Sequence, residues 1–160
     1  MPLIKDGLIA VDPWISLEDA TPMPGTGAVT VSRNRWQTER ASLLMRNAPL
    51  GLRLANNQPV QAIADDVQRL TLIVLHFPKF TDGRAYSQAR LLRERLGYGG
   101  ELRATGSVLR DQLLFMHRCG FDAFEIDAAE PADIWTKALA EFNHFYQPTG
   151  DHRPARFGRI

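Results

Sequence analysis

The chain of 160 residues has a single cysteine, Cys119. No intrachain disulfide is possible, which suits a reducing compartment. It also lacks a charge bias: nineteen Lys and Arg stand against eighteen Asp and Glu, a formal net charge of +1. Such a chain has no global field to hold nucleic acid or an anionic membrane. Long apolar runs are missing too. The strongest, Leu72–Leu75 with Leu70 and Phe77 beside it, is far short of the ~20 residues that a bilayer span needs. The first residues show no basic stretch leading into an apolar one, so no signal peptide is expected and the reading is a soluble, cytoplasmic protein. Gly25-Thr-Gly27 and Gly97-Tyr-Gly99-Gly100 do not complete a dinucleotide fingerprint, and neither a Walker A loop nor a Gly-x-Ser-x-Gly elbow is present. His76, His117, His144, His152 and Cys119 are not spaced as zinc ligands, and one cysteine cannot hold an iron–sulfur cluster. No metal is expected, and no cofactor is assigned.

What is present is average for a globular domain: 44% hydrophobic and 23% charged residues in 18.0 kDa. A chain of this length buries roughly 70% of its extended surface and needs no staple. Residues 1–27 read as an N-terminal hairpin arm and loop. Asp6-Gly7 between Ile4 and Leu8 gives the turn, and Pro22, Pro24, Gly25 and Gly27 give the loop. From residue 28 to 146 strands and helices alternate. Strands are expected at 28–31, 50–54, 70–77, 101–104 and 121–126. Helices are expected at 35–46, after Pro59, and at 83–96, 107–119 and 131–146, with Ser107 as an N-cap and Gly120 as a stop. About five β–α units predict a mostly parallel open sheet. The expected form is doubly wound, Rossmann- or flavodoxin-like, with helices over both faces; a half-barrel is the alternative, and a closed eight-unit barrel normally needs ~250 residues. Residues 147–160, with Arg153, Arg156 and Arg159, read as a tail.

In open α/β sheets ligands bind beyond the carboxyl ends of the strands. The most polar such loop is Phe77-Pro-Lys-Phe-Thr-Asp-Gly-Arg84, leading into a helix. Free N–H groups at that helix start, with Lys79, Asp82, Gly83, Arg84, Ser87 and Arg90, make an anion-site candidate. Arg103, Gly106 and Gln112 join it from the next unit, Gln112 falling within an apolar arc that includes Val108, Phe115 and Cys119. A solvated helix and a backbone-satisfied Gln112 are the competing readings. Cys119 reads as buried and structural. Leu91 and Leu114 suggest a contact surface, with a homodimer or a partner protein as occupant.

Phe77–Arg84, Tyr86-Ser-Gln-Ala-Arg90, Leu92-Arg93 and Gly97 form one signature. Gly100–Ala104, Gly106, Val108-Leu109, Asp111-Gln112, Phe115-Met116 and Arg118–Phe124 form a second. Both resemble the small proteobacterial family encoded beside sulfite reductase and often labelled an oxidoreductase of sulfite reduction. The resemblance is close over residues 77–124 and looser from Trp36 to Asp127. It implies an accessory protein of assimilatory sulfite reduction, serving sulfur assimilation and cysteine biosynthesis. It further implies a partner in a sulfite reductase subunit and a ligand in a small anion, sulfite or phosphate-like. Oxidoreductase activity would need a borrowed cofactor or a redox partner. The alternatives are a non-catalytic scaffold for sulfite reductase and an unrelated enzyme using Asp82 or Asp111 as general acid or base.

Overall fold

The structure is a computed structural model that describes residues 1–127, 131–141 and 149. Twelve regular elements carry the fold: β1 (Leu3–Lys5), β2 (Leu8–Ala10), β3 (Trp14–Ser16), β4 (Ala28–Ser32), α1 (Arg33–Leu44), β5 (Leu50–Ala55), β6 (Leu72–Phe77), α2 (Arg84–Arg90), β7 (Glu101–Gly106), α3 (Leu113–Arg118), β8 (Ala123–Glu125) and α4 (Pro131–Ala140). The eight strands form one sheet in the order β2-β1-β8-β7-β6-β5-β4-β3. From β3 to β8 every pairing is parallel, while β1 lies antiparallel between β8 and β2.

That order corrects the doubly wound expectation. A doubly wound sheet starts in the middle and reverses direction. Here the chain steps one strand at a time from β3 to β8, and crossovers of one hand then place the helices on one face. The sheet curls into a half-barrel, the alternative form. Side chains on the helix-covered face form the main core: Ile4, Val31, Leu52, Ile73, Leu75, Leu102 and Phe124 pack with Trp36 of α1, Ala85 and Ala89 of α2, Met116 of α3 and Trp135 of α4. Leu3, Leu72, Val74 and Ala123 are buried as well but lie outside that core. They belong to the opposite, concave face, because successive strand residues alternate sides.

The curl follows from chain length. Only Val11-Asp12-Pro13 joins β2 at one edge to β3 at the other. Ala10 to Trp14 spans at most about 14 Å of extended chain. A flat sheet of eight strands would separate its edges by about 34 Å. The edges must therefore approach, and residues 11–13 form a strap across the concave side.

The hairpin turn is as expected, with Asp6 at φ 51° and Gly7 at φ 81°, the left-handed pair of a type I′ turn. It is joined to the main sheet through β1 and β8. Three helices differ from expectation. Residues after Pro59 form two 3₁₀ turns, Val60–Ile63 and Val67–Arg69, instead of one helix. After α2, Leu91–Arg95 widens into a π turn closed by Leu96 N–H to the Leu91 carbonyl. The helix expected at 107–119 begins only with a 3₁₀ turn at Arg110, so Ser107 caps nothing. Its N–H donates instead to the Phe77 carbonyl at 2.8 Å, and Gly106 sits at φ 88°. This delay rotates the expected face: Phe115 is exposed, whereas Leu114 is buried and Leu91 packs partly against the core. Burial therefore removes Leu114 from the expected contact surface and leaves Leu91 only partly exposed. The rest of the helix expected to reach Tyr146, and the tail but for Thr149, lie outside the described residues.

Candidate functional site

Register builds the concave face in rungs. Ser32, Arg53, Val74, Arg103 and Ala123 lie side by side across β4 to β8, and Ala55, His76 and Thr105 form the next rung toward the strand tips. Two cavities lined by described residues lie on this face. The cavity at the strand tips, of about 340 Å³, is walled by Ser32, Arg33, Asn34, Arg53, Leu54, Ala55, Gln58, Val74, His76 and Thr105. The other, of about 410 Å³, lies toward the strap and takes in Lys5, Val11, Trp14, Glu101 and Arg103. Val74 of the first and Arg103 of the second are register neighbours on the same face.

The strap end is saturated with ion pairs. Arg103 is 2% exposed. Its guanidinium donates to Asp12 at 2.7 and 3.1 Å, to Glu101 at 2.8 and 3.0 Å and to Glu125 at 3.3 Å. Glu101 also receives Lys5 at 2.7 Å. Carboxylates outnumber cations there, so an added anion meets no net attraction.

The tip cavity is the reverse. Its walls carry two guanidiniums and an imidazole but no carboxylate. Arg53 Nη2 donates to the Leu17 carbonyl at 2.7 Å, which fixes its head toward the β3 side. Neither Arg33 nor Arg53 has a carboxylate partner among the described residues. Asp19 accepts from the Ser32 hydroxyl, and the same hydroxyl caps α1 by accepting from Arg35 N–H at 3.1 Å. The first turn of α1 thus faces the cavity with the positive end of its dipole. Across the floor from the arginines, His76 Nδ1 and Thr105 Oγ1 are 3.3 Å apart. Gln88 of α2 secures the β5 tip, its amide donating to the Ala55 and Gln58 carbonyls at 2.9 and 2.6 Å.

None of the nine residues picked from the sequence lines this cavity. Lys79, Gly83, Arg84, Ser87 and Arg90 are exposed. Arg84 is engaged by Asp82 at 2.7 and 2.9 Å, and this pairing holds the Asp82 carboxyl well below the usual carboxylate range. Arg90 pairs with Glu94. Arg103 belongs to the strap network. Gln112 donates to the Phe80 carbonyl at 3.0 Å, which meets the backbone-satisfied reading for its nitrogen alone, since its buried Oε1 has no partner among the described residues. Gly106 adjoins the cavity, since a Cβ there would run into the His76 ring and the Phe77 carbonyl. Arg84, Ser87 and Arg103 are not brought into a shared hollow. Strand tips do gather basic side chains, but they are Arg33, Arg53 and His76. The available signal was parity: Arg53 is the one charge in Leu50-Gly-Leu-Arg-Leu54 and shares its face with Gly51 and Ala55. Cys119 is buried, and that burial pushes its thiol up to about 11. Among the described residues no group of His, Cys, Asp and Glu is placed to hold a metal, and no helix is long and apolar enough to cross a membrane.

These features define a mixed α/β half-barrel protein with a cation-lined hollow at its strand tips. The chain belongs to the family described as bacterial protein of unknown function (DUF934), whose model matches residues 51–157. No curated protein matches the chain.

Proposed function

We propose that this chain is an accessory protein of assimilatory sulfite reduction that binds a small oxyanion in the tip cavity. One observation carries the binding part: Arg33 and Arg53 face a cavity whose walls hold no carboxylate. Guanidiniums without an acidic partner bind oxyanions through charge-assisted hydrogen bonds. The pathway part rests on the resemblance of residues 77–124 to the family encoded beside sulfite reductase. Calorimetric titration with sulfite, sulfate and phosphate tests the binding. The intact chain is expected to bind, and Arg53→Ala or Arg33→Ala to weaken binding by about tenfold or more, since a hydrogen bond to a charged group contributes ~1.5–3 kcal/mol. Arg84→Ala, already paired with Asp82, is expected to bind like the parent. Normal growth on sulfate after deletion of the gene, without added cysteine, would refute the pathway role.

A second reading, a scaffold for sulfite reductase, is favoured by the exposed Phe80 and Phe115. Phe115 packs against Tyr86 with the rings tilted and 4.7 Å between centroids, beside the loop that Gln112 holds. Co-purification with a sulfite reductase subunit, lost in Phe115→Ser, tests it.

A further inference from the structure

Resting on the reading of the tip cavity as an anion site, we infer that its ligand is not a bare oxyanion. It is a small hydroxylated organic molecule with one terminal oxyanion group, a phosphate or sulfonate. Two features of the cavity point there. The first is size. About 340 Å³ falls within the roughly 300–1,000 Å³ of sites that enclose small organic ligands, and a lone sulfite or phosphate leaves most of it unfilled.

The second is the separation of chemistries. The cationic groups stand on the β4–β5 side. Arg33 opens α1 directly after β4, and the Arg53 head is turned toward β3 by its bond to the Leu17 carbonyl. The β6–β7 side offers the hydrogen-bonding pair His76 and Thr105. Val74, 7% exposed, forms an apolar floor between the two sides. Strand and rung spacings put the His76 and Thr105 backbone roughly 8–12 Å from that of Arg53. Because the Arg53 head is turned toward β3, away from that pair, a tetrahedral anion held by it leaves the His76 side of the cavity unfilled. A molecule with its oxyanion at Arg33 and Arg53, carbon over Val74 and hydroxyls at His76 and Thr105 satisfies both sides.

The test is calorimetric titration of the whole chain. Inorganic phosphate and sulfite are compared with glycerol 3-phosphate, ribose 5-phosphate and the hydroxysulfonate isethionate. At least one organic anion is expected to bind about tenfold or more tightly than the inorganic anion of the same kind. Thr105→Val keeps the shape and removes the hydroxyl. It is expected to erase most of that preference, weakening the organic anion about tenfold more than inorganic phosphate; His76→Ala is expected to do the same. Equal affinities for organic and inorganic anions overturn this inference but leave the oxyanion site standing. So does a preference that survives both substitutions. Binding of neither kind of anion overturns the site itself.

Discussion

Arg103 on β7 meets Asp12 of the strap at 2.7 Å, a contact between residues 91 apart in sequence. It ties the three residues that join the two sheet edges to the middle of the concave face. Burying Arg103 is tolerable only because Asp12, Glu101 and Glu125 surround it. Removing the cation leaves Glu101, whose side chain is 9% exposed, with Lys5 alone. Arg103→Ala is therefore expected to cost about 3 kcal/mol in urea unfolding, near the low end for a broken buried pair. Asp12 is about a third exposed, and Asp12→Asn should cost less than about 1 kcal/mol. Equal losses for the two variants would mean that the strap, rather than burial of the arginine, dominates the network.

The same network gives the stability a dependence on pH with opposed limbs. Burial pushes the Asp12 carboxyl up, but hydrogen bonds from Arg103 and the Trp14 N–H together bring it below its ordinary 3.8. Asp82 is lowered by its pairing with Arg84. Stability from these two groups is present above 3.8 and is lost as the pH falls through their lower folded values. Asp122 is opposite. Burial raises it, against the Leu102 N–H and Arg93, so the folded protein takes up a proton first and gains stability as the pH falls toward 3.8. Unfolding measured from about pH 7 to about pH 2 should show Asp122→Asn flattening the limb above about 4, and Asp12→Asn flattening the limb below it.

Gly106 links the fold to the cavity. Its φ of 88° and the nearness of Phe77 O and His76 leave no room for a Cβ. Gly106→Ala should cost about 1–3 kcal/mol from backbone strain and displace His76 from Thr105. Thermal unfolding checks the first effect. The histidine ring signals in NMR check the second, and an unchanged His76 environment would contradict it.

This position also shows where sequence patterning stops. The repeating strands β4 to β8 were legible because Val29, Val31, Leu52, Leu54, Ile73 and Leu75 alternate or cluster at strand spacing. Gly106 reads as a ligand approach or as a turn equally well, and only its pairing opposite Phe77 shows the turn that delays α3. β3 has three residues, and its register comes from β4 and from a strap whose length matters only once the edges are known. The near-continuous apolar run of β6 suggested helices on both faces. In fact Leu72 and Val74 are covered by the curl of the sheet itself. Arg33, Arg53 and His76 come from three units, and nothing local to any of them marks a common hollow.

Cys119 is 5% exposed, and its thiol is pushed up to about 11 by burial. A thiol, not a thiolate, is then present near pH 8, and it is shielded. Modification by a thiol-specific disulfide reagent should be at least ~100-fold slower in the native protein than in denaturant. Rapid native labelling would place Cys119 near an opening that the fold does not show.

Gln88 supports the site without lining it. Its amide holds the Ala55 and Gln58 carbonyls, and Ala55 and Gln58 form part of the cavity wall. Gln88→Met keeps the length and apolar bulk but strands the Gln58 carbonyl beside a side chain that is 6% exposed, while the Ala55 carbonyl keeps the Gln58 N–H at 3.0 Å. The expected cost is about 1–3 kcal/mol. Because neither guanidinium is touched, phosphate affinity should fall only as far as the loop after β5 loosens. A drop in affinity that Arg53→Ala does not deepen would show that Gln88 and Arg53 act through one element, the tip of β5. Independent, additive losses would separate the loop from the anion ligand.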